Sequence, residues 1–67
     1  MQIHEIIRTR RTALGLTQEQ LAGKLGVSAP AVNKWERGNS YPDITLIRDI
    51  CAILQVSEHE LLTASED

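Results

Sequence analysis

Five residues of one short segment share the spacing of a helix face: Ala29, Pro30, Asn33, Lys34 and Arg37. Residues three and four apart lie on the same side of an α-helix, so these side chains are expected to form one stripe. On such a stripe a carboxamide can pair with the edge of an adenine, a lysine can reach guanine or a phosphate, and a methyl group can contact thymine. The stripe therefore fits the edges of base pairs. The competing interpretation is that Asn33 and Lys34 are ordinary solvated residues.

Two short helices joined by a glycine turn are predicted for residues 17–38, an arrangement that can place the second helix in a major groove. Thr17 with Gln20 has the spacing of a capping box and predicts a helix over 18–25, which Gly26 ends. Ser28 is the expected cap of a helix over 29–37, where Pro30 is tolerated in the first turn. Apolar residues at helical spacing would join the two helices: Leu21, Ala22, Leu25, Val27, Val32 and Trp35.

Polar residues at the ends of these two helices are candidates for phosphate contacts. Gln18 opens the first of them, where free backbone amides and the positive helix end suit an anion. Thr17 is expected to share that contact or to act only as a cap. Asn39 and Ser40, in the loop that follows Gly38, are further candidate donors or ordinary loop residues. The full set of predicted DNA-contacting residues is Thr17, Gln18, Ser28, Ala29, Pro30, Asn33, Lys34, Arg37, Asn39 and Ser40.

The remaining chain predicts three more helices and no strand. Apolar residues on one face indicate a helix over about 2–14, which Gly15 ends, and a helix over about 44–54, which Asp43 caps. Ser57 and Glu60 form a second capping box that opens a short helix over 58–63, with Leu61 and Leu62 as its anchors. Residues 64–67 are expected to be a frayed acidic tail. The sequence thus predicts one all-α domain of five helices over 1–67.

Bulk composition narrows the classes of function. The chain has 67 residues and a net charge of −2, but residues 1–48 hold all seven bases and four acids (+3), whereas residues 49–67 hold five acids and no base (−5). One face can therefore meet phosphate while another repels it. We expect one small core with no pocket for a small-molecule ligand, no membrane segment and a cytoplasmic location.

The residues that could suggest an enzyme or a metal site do not converge. His4–Glu5 and His59–Glu60 are adjacent pairs, and adjacent side chains point about 100° apart on a helix. Cys51 lies at the spacing of the apolar face, where a small buried hydrophobe is expected. We therefore expect no catalytic residue, no metal and no cofactor.

The chain resembles the Cro and phage-repressor helix-turn-helix family, also called the xenobiotic-response-element family, over essentially its whole length. The residues that carry the resemblance are Leu14-Gly15-Leu16-Thr17-Gln18, Leu21-Ala22, Leu25-Gly26-Val27-Ser28, Val32, Trp35-Glu36-Arg37-Gly38 and Pro42. The resemblance implies a compact, lambda-repressor-like domain that binds double-stranded operator DNA, usually as a homodimer on two half-sites. It also implies that the position of Gln18 holds a phosphate, that Ala29, Pro30, Asn33 and Lys34 face bases, and that Arg11 pairs with Glu36.

Two positions depart from the family pattern, because Ala29 and Pro30 stand where polar, base-reading side chains such as glutamine are often found. Specificity is then expected to rest on Asn33, Lys34, a thymine methyl contact and DNA shape. The hypothesis is a transcriptional regulator that represses by occupying an operator, with its dimer seam at the fourth and fifth helices. The alternatives are a protein-interaction module such as an antitoxin, and the N-terminal DNA-binding domain of a longer ligand-controlled regulator.

Overall fold

The computed structural model describes residues 2–63, so the predicted tail at 64–67 lies outside the described residues. Five α-helices follow one another: α1 (Ile3–Ala13), α2 (Gln18–Leu25), α3 (Ala29–Glu36), α4 (Ile47–Leu54) and α5 (Glu58–Thr63). A 3-10 turn, Ile44–Leu46, leads directly into α4. The predicted all-α class and the five helices are confirmed for this part of the chain.

Local side-chain bonds explain where α2 and α5 begin. The hydroxyl of Thr17 accepts from the Gln20 amide at 3.0 Å, and Gln20 Oε1 accepts from the Thr17 amide at 2.8 Å. The same reciprocal pair joins Ser57 and Glu60, at 2.9 and 3.4 Å. Each box satisfies two backbone donors that a helix start leaves without an acceptor, so both helices begin where the sequence predicts.

The turn between α2 and α3 requires the glycine at position 26. Gly26 has a φ of +74°, in the left-handed region that a side chain disfavours, and its amide bonds back to Ala22. The Ser28 hydroxyl then accepts from the Ala31 amide at 3.3 Å and starts α3. Only Val27 and Ser28 separate Gly26 from α3, so the turn between α2 and α3 is three residues long.

Every helix contributes at least one fully buried side chain to a single hydrophobic core. The side chains with the least exposure are Ile7, Leu21, Val32, Ile50, Leu54 and Leu61. Trp35 and Cys51 are each 5% exposed, so the thiol of Cys51 lies in the core as predicted. Desolvation by this burial is the largest cause of the raised pKa of Cys51, to which the charges of Glu58 and Glu60 add. A thiol held protonated is a poor nucleophile and a poor metal ligand.

The fourth and fifth helices differ from the prediction at two places, the start of α4 and Leu62, while α4 ends at Leu54 as predicted. The predicted helix over 44–54 starts as a 3-10 turn, in which Asp43 accepts from the Thr45 amide and hydroxyl at 2.9 and 2.8 Å. Gln55 ends α4 with a φ of +61°, a position usually held by glycine. Leu62 was predicted to anchor α5 but is 49% exposed, because α5 has one buried position and Leu61 occupies it.

Residues 2–63 carry neither a membrane-spanning helix nor a cluster of metal ligands. Among residues 2–63 no helix is long and apolar enough to cross a membrane. The same residues contain no group of three or more histidine, cysteine, aspartate or glutamate side chains placed to hold a metal ion.

Candidate nucleic-acid interface

The outward side of α3 carries the predicted stripe. Pro30, Lys34 and Arg37 are exposed, while Ala29 and Asn33 are half-buried. The opposite side holds Val32 and Trp35 in the core, as the spacing predicts. Since α3 packs against α1 and α2, its buried side is supported from both and its other side faces solvent.

The other predicted contact residues lie at the ends of α2 and α3. Thr17 and Ser28 are exposed caps at the starts of the two helices, and Gln18 is half-buried in the first turn of α2. After α3, the amides of Gly38 and Asn39 bond back to Trp35 and Lys34 at 3.1 and 3.0 Å. This turn places Asn39, which is exposed, and Ser40, which is half-buried, directly beyond the stripe.

A buried carboxylate ties α1 to α3. The Glu36 side chain is 2% exposed and accepts from Arg11 through both oxygens, with Nε–Oε2 at 2.6 Å and Nη2–Oε1 at 2.9 Å. Arg11 also donates to the carbonyl of Leu16 at 2.7 Å. The Arg11–Glu36 pair that the family resemblance implies is therefore present, and it fixes α3 to both α1 and the segment before α2.

Arg11 is held in its charged form by this pair. The hydrogen bond to Glu36 is the largest cause of the raised pKa of Arg11; the Glu36 charge also raises it, and desolvation opposes both. A buried charge without a partner would be costly, whereas this carboxylate receives two bonds from a planar guanidinium in good geometry.

The Glu36 carboxylate also reaches the candidate contact residues. Gln18 Nε2 donates to Glu36 Oε1 at 3.1 Å, and Asn33 Nδ2 donates to Gln18 Oε1 at 3.4 Å. The structure thus brings Gln18, Asn33 and Glu36 together, so the first turn of α2 lies against the middle of α3. In the free protein Gln18, predicted as a phosphate contact, is partly engaged within the domain.

Sequence reasoning missed this network and a second arginine contact. Glu36 stands four residues after Val32, on the buried side of α3, and an acid at a core position is a signal that a partner is required. Arg10 donates through Nε to the carbonyl of Leu54 at 3.0 Å, which ties α1 to the end of α4. No periodicity in the sequence pairs residues that are 44 positions apart.

The loop before α4 and the helices α4 and α5 carry a different surface. Tyr41, Ile44 and Leu62 are 70%, 82% and 49% exposed, and they line an open groove together with Pro42 and Ile47. The exposed acids of α4 and α5 are Asp49, Glu58 and Glu60. Since α5 packs against α1 and α4, these charges belong to a part of the fold other than the α2–α3 pair.

Known proteins share both the sequence pattern and the fold. A family model described as helix-turn-helix matches residues 7–61. The HTH-type transcriptional activator BcrR of Enterococcus faecalis is 41% identical over 66 residues, which is 98% of this chain and 32% of BcrR. The uncharacterized HTH-type transcriptional regulator YazB of Bacillus subtilis is 40% identical over 55 residues, 82% of this chain and 80% of YazB. This chain therefore spans about a third of one relative and most of the other.

A solved structure has the same arrangement of helices. The P22 c2 repressor protein, in complex with a synthetic operator, superposes with a TM-score of 0.85 at 33% identity, covering 91% of this chain and 92% of the other. That protein is a repressor seen on operator DNA.

Proposed function

Because this chain belongs to the helix-turn-helix family of the Cro and phage-repressor type, we propose that it is a sequence-specific regulator of transcription that places α3 in the major groove of an operator. The family consists of DNA-binding regulators, not enzymes. The observation that carries the proposal is the outward stripe of α3, with Asn33 half-buried and Lys34 and Arg37 exposed, supported from behind by α1 and α2.

The roles follow from side-chain chemistry. Asn33 and Lys34 read base edges, while Ala29 and Pro30 offer apolar contact to thymine methyl groups. Gln18 with the α2 amides, together with Thr17, Ser28, Arg37, Asn39 and Ser40, contacts the sugar-phosphate backbone and fixes the register. The acidic surface of α4 and α5 disfavours binding in other orientations.

The test is selection of bound duplexes from a random pool, followed by retardation of the selected operator at several salt concentrations. Lys34→Ala is expected to weaken binding by about 1–3 kcal/mol without changing the melting temperature, since Lys34 is exposed. Lys24→Ala is the matched control, because Lys24 is also an exposed lysine but lies in the last turn of α2, outside the stripe. Equal losses for both variants would contradict the assignment of α3 as the reading helix.

Repression is the proposed outcome of operator binding, because a domain seated on an operator can exclude polymerase. The similar P22 c2 protein is a repressor, while BcrR is an activator of which this chain spans 32%. Transcription from a template that carries the selected operator separates the two outcomes. No retardation of any duplex, even at low salt, would favour a protein-interaction module instead.

The proposed function also implies a location. A regulator of this kind acts where the DNA is, so we place the chain in the cytoplasm.

We also propose that the chain binds as a homodimer through the groove beside Tyr41, Ile44 and Leu62. If two copies met through this surface about a two-fold axis, its exposed apolar side chains would become buried. Arg48 and Glu58 lie in the same area, so the base of one copy could face the acid of the other. Two α3 helices about 34 Å apart would then meet successive major grooves.

Replacement of an exposed apolar residue tests the dimer. Ile44→Glu is expected to change the unfolding free energy of the monomer by no more than about 0.5 kcal/mol. It is also expected to shift the sedimentation coefficient toward that of the monomer. Ala52→Glu adds the same charge at an exposed position of α4 that does not line the groove. Dimers that persist in Ile44→Glu would exclude this surface as the seam.

A further inference from the structure

The hydrogen bonds around Asn33 run in one direction, starting from the buried ion pair. An ionised carboxylate can only accept hydrogen bonds, so Glu36 Oε1 requires a donor, and Gln18 supplies Nε2 at 3.1 Å. The carbonyl oxygen of the same amide is then turned toward Asn33. It accepts from Asn33 Nδ2 at 3.4 Å. Charge at Glu36 therefore determines which way the Gln18 amide faces, and that amide determines which way Asn33 faces.

The reverse orientation of Asn33 is disfavoured by the same contacts. Rotating the Asn33 amide by half a turn would set its Oδ1 against Gln18 Oε1, which would place two acceptors together. Rotating Gln18 as well would set its Oε1 against the Glu36 carboxylate, where two acceptors, one of them charged, would meet at 3.1 Å. Arg11 holds that carboxylate in place through two bonds of its own. The free protein thus carries a preferred amide polarity before any ligand arrives.

The bond to Gln18 leaves most of the Asn33 amide free. An asparagine amide has two hydrogens and one oxygen, and Gln18 uses one hydrogen. The oxygen and the other hydrogen remain for a ligand, as one acceptor beside one donor. Adenine presents the complement of this pair in the major groove, a donor at N6 and an acceptor at N7, whereas guanine presents two acceptors.

We propose that Gln18 is a positioning residue that sets the amide polarity of Asn33 and thereby selects adenine at one operator position. This inference rests on the proposed function and adds to it a specificity role for a residue on the supporting helix. An amide that rotates freely can match either order of donor and acceptor, while an oriented one matches a single order and loses less freedom on binding. At 3.4 Å the Asn33–Gln18 bond is longer than the usual N–H···O distance, so the expected effect is moderate.

The experiment measures base preference with the full 67-residue chain. The operator selected by the wild type is prepared with all four base pairs at each position, and Asn33→Ala identifies the position at which its removal abolishes the preference. Gln18→Met keeps the aliphatic stem but removes both the donor and the acceptor. We expect a preference for adenine of about tenfold in the wild type and about threefold or less in Gln18→Met at that position alone.

Control variants separate positioning from a phosphate contact. Loss of a phosphate contact lowers affinity by the same factor on every sequence and leaves the base preference unchanged. In the Asn33→Ala background, Gln18→Met should give only such a uniform factor. Gln20→Met makes the same replacement two residues along α2, where the side chain bonds to the Thr17 amide, and should leave the preference at the wild-type value. Melting of each variant verifies its fold, and Gln18→Ala replaces Gln18→Met if the latter fails to fold.

Each outcome decides the inference. A loss of adenine preference in Gln18→Met that disappears in the Asn33→Ala background supports it. A uniform loss of affinity with the preference intact would overturn it, as would a base other than adenine at the position read by Asn33, or no position that depends on Asn33. A wild-type chain that binds no duplex would overturn the proposed function itself, which is a result distinct from all of these.

Discussion

The α2–α3 pair and the α4–α5 end are both built from helices of six to eight residues that bury one apolar face, yet they expose different chemistry. On α3 the outward residues are an amide and two cations, at Asn33, Lys34 and Arg37. In the other region the exposed side chains include Tyr41 and Ile44, and Ile44 lies in the same area as the acids Asp49 and Glu58. The inner faces make one shared core, so the division of roles lies in the outer faces. One is suited to phosphates and bases, and the other to a second protein surface.

The two regions also hold their charges differently. Glu36 is buried and receives bonds from Arg11 and Gln18, so its position is fixed by three helices. Arg48 and Glu58 approach to 3.7 Å with 89% and 53% of their side chains exposed. Water and salt screen the Arg48–Glu58 pair, so this pair fixes its side chains far less than the Arg11–Glu36 pair does.

The largest expected difference in unfolding free energy is between alanine substitutions of two aromatic residues, one in each region. Trp35 is 5% exposed, and Trp35→Ala should cost about 3–5 kcal/mol of unfolding free energy, enough to unfold much of a domain of this size. Tyr41 is 70% exposed, and Tyr41→Ala should cost about 0.5 kcal/mol or less. Thermal melting followed by circular dichroism measures both. Similar losses would mean that the α4–α5 end contributes more to stability than its exposure indicates.

The two ion pairs provide the next comparison. Arg11→Ala leaves the Glu36 carboxylate buried with only Gln18 as a donor, and we expect a loss of about 3 kcal/mol, at the low end of the range for buried pairs because Arg11 keeps 12% exposure. Arg48→Ala should cost about 0.5 kcal/mol or less. Double-mutant cycles with Glu36→Ala and Glu58→Ala isolate each coupling.

Added salt sharpens this result. The coupling between Arg48 and Glu58 should vanish by about 1 M ionic strength, where screening acts over about 3 Å, while that between Arg11 and Glu36 should persist because water has little access to it. A coupling that falls equally with salt in both cycles would show that the pair at Glu36 is more accessible than its burial indicates.

Short-range signals in the sequence predicted most of this fold. The capping boxes at Thr17 and Ser57 and the glycine at 26 act within a few residues, and each gave the correct helix boundary. The apolar spacing around Val32 and Trp35 gave the correct buried side of α3. These features depend on local geometry, which spacing encodes directly.

The features that the sequence did not predict depend on distant parts of the chain. The contacts from Arg10 to Leu54 and from Gln18 to Asn33 join residues 44 and 15 positions apart, and packing alone determines them. Leu62 was misassigned because α5 makes only one turn and a half, too few residues for periodicity to separate it from Leu61. The Arg11–Glu36 pair was expected only from the family resemblance. Spacing could not predict it, because no spacing rule relates two residues on different helices.

The smallest expected effect compares the caps of the two regions under acid. Hydrogen bonds from the amide and then the hydroxyl of Thr45 lower the pKa of Asp43 below its ordinary value of 3.8. The unfolded chain therefore binds a proton more readily than the folded one. The stability that Asp43 adds is present above the unfolded pKa and is lost as the pH falls through the lower, folded value.

Thr17 caps α2 with a hydroxyl that does not titrate, so the two caps should respond differently to acid. Asp43→Ala should lower the melting temperature at pH 7 and lower it less at about pH 2–3, because the wild-type carboxylate loses part of its charge, and with it part of its bonding to Thr45, as the pH falls. Thr17→Ala should cost about 1 kcal/mol at both values. Melting curves of the three proteins at the two pH values make the comparison, and the wild type at each pH corrects for all other titrating groups. A cost of Asp43→Ala that stays constant would mean that the carboxylate charge adds nothing to the start of the 3-10 turn and α4.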